Sequence, residues 1–416
     1  MRINVFGDTI SAMVSAGCLA ETGNHVTLIG QRKGDVAEPG LVELLDQQIE
    51  AKRLVISKEH DAKSECHILA LQPDDCQNAR RIASLLKESA QQDSTLIIRS
   101  NFTIGLASEL SQISGLNFAV NPDFAADGHA IQAFMRPDRI IVGTHSEQIK
   151  QQIAQLFAPF NRNKDVTLIM SPASAELTKY ATNALLATRI SLMNELSSIA
   201  ETIDADIEEV RLGLGADKRI GRAYLYPGIG FGGDNFTRDL ERIKQLLPNS
   251  QSNGGHSLLQ SVIDINDNQK ELFFRKLWQH FDCQLNDKTI TLWGLGYKPN
   301  TTTVNSAASV SLIKAFVNQG CHLKLYDPFA LESIQAWLDE NLTTEQLQQV
   351  TLFDEMYNAT ENSDALCVLT EYKAFWSPDL ALLNDKMRSQ IILDGRNLYN
   401  KYWIEDNHFI YYGVGR

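Results

Sequence analysis

The stretch "GIGFGGDNFTRDL", Gly228 to Leu240, has the make-up of a loop that holds a small molecule. Gly232 and Gly233 carry no Cβ, so backbone there can approach another group closely. Asp239 follows with a carboxylate. No Cys, Ser, His or Lys stands in the stretch, so it lacks the side chains that usually attack a substrate. Its chemistry is that of binding. Elsewhere no group of His, Cys and Asp has metal-site spacing, and no metal is expected. His129 and His256 read as surface or loop histidines.

These residues must be positioned by a scaffold of alternating elements. "RINVFG", a helix from about Ser11 to Thr22, and "HVTLIG" begin a series continued by "CHILAL", "STLIIRS", "LNFAVNP" and "RIIVG". Strands separated by helices predict βαβ units and a parallel sheet covered on both faces. From about Pro172 to Lys276 the pattern is helical, and "SAELTKYATNALLATRISLMNELSSIAETI" reads as one long amphipathic helix starting at Ser171-Pro172. Its apolar positions Leu177, Ala181, Leu185 and Leu192 share a face, which suits a dimer seam. "KTITLWGLG", "HLKLYDP", "ALCVLTE" and "QIILDGRN" then restore the βαβ pattern. The expected class is α/β, with doubly wound domains at 1–171 and 277–416 joined by a helical middle at 172–276.

The bulk properties agree with such a chain. Its 416 residues are 44% hydrophobic and 21% charged, enough apolar material for large cores. A net charge of −13 argues against general nucleic-acid binding. The six cysteines form no C-x-x-C pair and mostly sit in apolar runs, as reduced thiols of a cytoplasmic protein do. Neither a signal peptide nor a membrane-spanning run is expected.

Five motifs occur in order: "ELTKYATNALLATRISLMNE", "KRIGRAYLYPGIGFGGDNF", "LWGLGYKPNT", "YDP" and "LDGRNLY". Together they resemble the UDP-glucose/GDP-mannose dehydrogenase family along essentially the whole chain. The resemblance implies two Rossmann-like domains, a dimer built on the long helix, and NAD as cofactor. It also implies oxidation of a nucleotide sugar's C6 alcohol to a carboxylate through a cysteine thiohemiacetal and thioester.

The family's catalytic loop reads "FGGSCFPKD", and here it is Phe231-Gly232-Gly233-Asp234-Asn235-Phe236-Thr237-Arg238-Asp239. Asn235 takes the cysteine's place, and an amide is no nucleophile. Lys179 and Asn183 match the pair that stabilises the oxyanion, four residues apart on one helix face. Asp239 matches the acid that positions the hydrolytic water. Asn101 replaces a family Thr, and Asp123 and Asp127 replace two glutamates.

On the cofactor side the family opens with G-x-G-x-x-G. This chain has Gly7-Asp8-Thr9-Ile10-Ser11-Ala12, which keeps only the first glycine. Thr9 and Ala12 replace the others, and Asp8 adds negative charge. Gly30 stands where an acid would take the ribose hydroxyls, and Gln31-Arg32-Lys33 follows it. Asn305 replaces the arginine that reaches NAD. These changes argue against NAD binding, and Arg32 and Lys33 do not rescue an NADP reading.

The nucleotide-sugar side is largely kept. By the resemblance, Arg219, Lys298 and Arg396 are ligand-contacting cations, with Arg219 reaching from the dimer partner. Tyr224 and Phe231 line the sugar or base pocket, and Gly232 and Gly233 bring backbone to the ligand. Each has a structural alternative: Gly232-Gly233 as a plain turn, Arg396 paired with Asp394, Lys298 or Arg219 as exposed loop cations. The expected function is a non-catalytic homologue that binds a nucleotide sugar such as UDP-glucose, as a homodimer. The alternatives are an active NAD(P)-dependent nucleotide-sugar 6-dehydrogenase of altered chemistry, and a structural partner of an active paralogue.

Overall fold

The computed structural model describes residues 1–31, 38–125, 128–161, 165–248 and 257–416. They form two compact units, Met1–Thr182 and Asn183–Arg416.

The first unit is an eight-stranded sheet in the order β3-β2-β1-β4-β5-β6-β7-β8. The strands are β1 Arg2–Phe6, β2 His25–Ile29, β3 Leu54–Ser57, β4 Cys66–Leu69, β5 Thr95–Ile98, β6 Asn117–Val120, β7 Ile140–Gly143 and β8 Thr167–Met170. The chain reverses strand order between β1 and β4, the hallmark of a Rossmann-like, doubly wound sheet. One pairing departs from the all-parallel expectation: β6 and β7 meet antiparallel through Val120 and Gly143. The reason is local, because β7 and β8 pair parallel to each other and run opposite to the rest. Helix α1, Ile10–Glu21, is buried continuously from Ala12 to Ala20. Its small residues permit this: a Cβ on Gly17 would stand 2.9 Å from Leu44 in helix α2, Leu41–Glu50.

A long helix, Pro172–Thr202, begins where Ser171-Pro172 predicts. Proline loses nothing at a first turn whose N–H groups have no helical partner, and Ser171 Oγ accepts the Ser174 N–H at 3.1 Å. One apolar stripe of this helix is not buried in the chain. Leu177, Leu185, Leu192 and Ile199 are 47%, 62%, 50% and 51% exposed.

The second unit holds a six-stranded parallel sheet in the order β11-β10-β9-β12-β13-β14. These strands are β9 Thr289–Trp293, β10 His322–Tyr326, β11 Val350–Phe353, β12 Ala365–Val368, β13 Ile391–Asp394 and β14 Ile410–Tyr412. Its switch point lies between β9 and β12. Every residue of β9 is buried, as a strand covered on both faces requires. Asp327, just past β10, fixes the turn that follows β9. Its carboxylate accepts the Leu295 and Gly296 N–H groups at 2.6 and 3.1 Å, and those of Phe329 and Ala330 at 2.8 and 2.9 Å.

Burial also sets a pH limit. His67 in β4 is fully buried, beside Asn4 at 3.1 Å and Ser94 at 3.2 Å. Desolvation, with a smaller push from His60, lowers its imidazole pKa to about 4. The unfolded value is about 6.5, so the fold keeps the ring neutral and its contribution is complete above that pH. It is lost as pH falls from 6.5 towards 4, by about 2 kcal/mol at pH 5. Urea unfolding at pH 7 and pH 5 should show the drop, and His67→Gln should flatten it; an equal drop in both proteins contradicts the assignment.

Candidate functional site

In open α/β sheets the crevice at the carboxyl ends of the strands, at the switch point, is where ligands bind. In the second unit that crevice is bounded by the turns after β9, β12 and β13. The segment Gly228–Gly233 runs across it. The Ile229 N–H reaches the Gly395 carbonyl at 3.2 Å, and the Gly233 N–H reaches that of Asn305 at 2.9 Å.

Buried amide side chains fix this segment. Gly228 N–H donates to Asn194 Oδ1 at 2.9 Å, and its carbonyl accepts from Gln269 Nε2 at 2.7 Å. Asn266 clamps Phe231, accepting its N–H at 2.7 Å and donating to its carbonyl at 3.1 Å. Asn266 and Gln269 lie three apart on the helix Leu258–Lys270, so both reach the segment from one face.

The protein's own groups crowd the two glycines. A Cβ on Gly232 would stand 2.8 Å from Tyr297 Cβ and from Ala307 Cα, and one on Gly233 3.0 Å from the Tyr297 ring. Gly233 also has φ +75°. Glycine is needed here because the protein's own tyrosine and backbone crowd the turn. Phe231 is likewise 8% exposed and packs among Ala184, Ala187, Leu240 and Val262, which makes it a core anchor. Tyr224 is 39% exposed, with its ring 6.3 Å from Phe236.

Arg396 lies at the strand ends. Its Nε donates to the Leu369 carbonyl at 2.9 Å and lies 3.1 Å from Glu371, while Nη2 reaches the Tyr297 carbonyl at 3.4 Å. Asp394 takes its backbone N–H rather than its guanidinium. Half-buried Lys298 places Nζ 5.4 Å from the Tyr297 ring centre. Arg219 is apart from this group. Its side chain is 89% exposed and paired with Asp217 at 2.6 Å.

Helix α3, Asp234–Gln245, starts at the end of the glycine segment. Buried Asn183 donates to fully buried Asp239 at 2.6 Å. Asn235 is exposed, and its Oδ1 accepts from Arg238 Nη2 at 2.7 Å. Arg238 Nε lies 3.6 Å from Asp239, too far for a hydrogen bond. Asn305 Nδ2 donates to Asp234 at 3.1 Å.

The first unit gathers a second set. Asp123 lies 3.2 Å from Arg99 Nη2, accepts the Ser11 hydroxyl, and accepts the Ala125 N–H at 2.9 Å. Burial would raise its pKa, but Arg99, Ser11, Ala125 and the field of Lys179 outweigh that and hold it below the usual carboxylate value. Lys179 Nζ is 5.2 Å from the Phe124 ring centre. Asn101 is half-buried in the turn after β5. Asp127 lies outside the described residues, as do Arg32, Lys33 and His256.

At the first turn, Thr9 caps α1. Its hydroxyl accepts the Ala12 N–H at 3.0 Å and donates to the Ala70 carbonyl at 2.6 Å. A Cβ on Gly7 would meet that carbonyl at 2.4 Å, and one on Gly30 would meet the Gly7 carbonyl at 2.3 Å. Ala12 is fully buried. Among the described residues no cluster could hold a metal ion, and no helix is long and apolar enough to cross a membrane.

Sequence reading passed over Arg238, Asn266, Gln269 and Arg99. Arg99 had a signal: a charge at the end of an apolar strand. Asn266 and Gln269 had a weaker one, polar residues on a helix face that turns out to be buried.

Residues 1–161, 173–268 and 291–401 match the NAD binding, central and UDP binding domains of the UDP-glucose/GDP-mannose dehydrogenase family. The chain is 34% identical to the UDP-glucose 6-dehydrogenase of Pseudomonas aeruginosa over 100% of its own length and 98% of that protein's. It is 32% identical to UDP-glucose 6-dehydrogenase YwqF of Bacillus subtilis, with the same coverage of each. The fold is similar to a UDP-glucose dehydrogenase from Pyrobaculum islandicum, with TM-score 0.84 and 23% identity, covering 100% of this chain and 97% of that one.

The clamp on Phe231 predicts a measurable cost. Asn266→Ala leaves a buried N–H and a buried C=O unpaired, at about 2–4 kcal/mol together. Asn266→Asp keeps the acceptor and should lose less. Urea unfolding of both variants tests this, and a loss below about 1 kcal/mol for Asn266→Ala would show that the segment is held by other means.

Proposed function

Because the chain belongs to the UDP-glucose/GDP-mannose dehydrogenase family, we propose that it keeps the family's nucleotide-sugar site and has given up the two-step oxidation. The observation that carries this reading is Asn235 held by Arg238 at 2.7 Å, where relatives need an attacking thiolate. No cysteine of the chain offers a substitute in that loop. Burial pushes the Cys18, Cys66 and Cys321 thiols up to about 12, far from the thiolate that attacks.

The cofactor half rests on the first turn. A dinucleotide's pyrophosphate needs free N–H groups and positive potential at a helix N-terminus. Here Thr9 takes the Ala12 N–H, and Ser11 in the same turn donates to the Asp123 carboxylate. Asp8 adds a second carboxylate in sequence at that end. Gly30 offers no carboxylate to a ribose, and its Cα lies too close to Gly7 to bear a side chain. These residues do not fit NAD in the usual Rossmann pose, so no hydride step is assigned to this chain.

The nucleotide-sugar half rests on Lys298 and Arg396, which follow β9 and β13 at one switch point beside the clamped segment and offer cations to a diphosphate. The retained Asn183–Asp239 pair favours a second reading, an active dehydrogenase of altered chemistry. The two part on cofactor binding. Calorimetric titration should show UDP-glucose binding and no NAD⁺ binding, and Asn235→Cys should form no NADH. Micromolar NAD⁺ binding overturns the cofactor half, and NADH from Asn235→Cys overturns the reading as a whole.

We also assign the exposed stripe Leu177, Leu185, Leu192 and Ile199 to a homodimer seam. A contiguous apolar face this exposed on one helix marks an interface. Leu185→Glu with Leu192→Glu should yield a folded monomer in sedimentation; a dimer surviving both substitutions places the seam elsewhere.

A further inference from the structure

The Asn235–Arg238 contact leaves an excess of donors beside the clamped segment. Arg238 has five N–H groups and Asn235 two, in the inventory of their side-chain types. The bond between them uses one of the seven, through Nη2 and Oδ1. Arg238 Nε is buried with no hydrogen-bond partner. Asp239 pairs with that Nε as an ion pair through Oδ1 at 3.6 Å, beyond hydrogen-bond distance, while its Oδ2 accepts from Asn183 at 2.6 Å. Arg238 holds the Asn235 oxygen, which turns the amide's NH₂ group into the part of Asn235 free to donate to a ligand.

We infer that the ligand of this site is a nucleoside-diphosphate uronic acid, its sugar already bearing a carboxylate that Arg238 and the Asn235 amide recognise. The inference rests on the nucleotide-sugar reading above and specifies the sugar. A primary alcohol offers one oxygen that both gives and takes a proton, which suits a site of mixed donors and acceptors. A carboxylate is acceptor-only, with two oxygens, and matches a guanidinium edge and an amide NH₂. Arginine here is suited to planar, paired recognition in a way the lysine of the family motif is not. Partial burial strengthens the attraction, because water competes less for the charges.

The diphosphate has its own partners, since Lys298 and Arg396 follow strands β9 and β13 at the switch point. Such a site takes up the product of a sugar-alcohol oxidation rather than its substrate. The class of reaction that supplies this ligand is oxidation of the sugar's primary alcohol by another enzyme.

The test is calorimetric titration of the full-length protein with UDP, UDP-glucose and UDP-glucuronic acid. The expected result is UDP-glucuronic acid binding at least tenfold more tightly than UDP-glucose. In Arg238→Gln that preference should vanish while UDP binding stays within twofold. Equal affinities in the unmodified protein overturn the inference and leave the nucleotide-sugar reading standing. A parallel loss for all three ligands in Arg238→Gln also overturns it, because Arg238 then serves the diphosphate. Absence of UDP binding to the unmodified protein overturns both. If Arg238→Gln does not fold, Asn235→Asp replaces it: a carboxylate at that exposed position should reverse the preference without weakening UDP. A preference that survives Asn235→Asp counts against the inference.

Discussion

Four hydrogen bonds from buried side-chain amides hold the backbone of Gly228 and Phe231, and the geometry of the candidate site depends on them. Peptide groups removed from water must be paired, and this segment has no strand partner to pair them. Asn194, Gln269 and Asn266 act as a surrogate strand, supplying donors and acceptors that a neighbouring backbone would otherwise offer. The glycines follow from the same constraint. With the segment fixed this close to Tyr297, a Cβ at position 232 or 233 has nowhere to go. Phe231, buried on the other side, keeps the segment from lifting. The start of α3 is therefore set, and with it the place of Asn235 and Arg238.

Much of this architecture was legible in the chain. The alternation of apolar strands with helical patterns identified both sheets, and Ser171-Pro172 marked the start of the long helix. Strand direction was not legible for β7, because an apolar run such as "RIIVG" reads the same whichever way it lies in the sheet. Two glycines together signalled close approach but could not say to what. Whether they face a ligand or Tyr297 depends on a residue far along the chain. The long helix shows the same limit. Its apolar stripe was visible in the spacing, yet spacing cannot distinguish a face buried in its own chain from one left exposed.

On the proposed reading, the two candidate sites differ in how their groups are paired. At the first turn, several groups near the expected pyrophosphate site have partners within the protein. Thr9 caps the helix, Ser11 binds Asp123, and the Gly7 carbonyl fills the space beside Gly30. Restoring a glycine at position 9 would remove this helix cap and leave Ser11 of the same turn bound to the Asp123 carboxylate. Substitutions that satisfy one another internally stabilise the fold without a ligand.

At the sugar end the substitutions leave the opposite residue. Asn235 and Arg238 satisfy each other once and hold further donors in reserve, one of them buried. A group left so costs stability, since a buried polar atom without a partner forfeits its hydration. Natural structures carry few such atoms, and one beside a ligand crevice has a physical use that one in a packed core lacks. Thus the contrast between the units concerns more than which motifs are broken. On the proposed reading, the first turn pairs its own groups through Thr9 and Ser11, whereas at the start of α3 Asn235 and Arg238 keep donors that an acceptor from outside can meet.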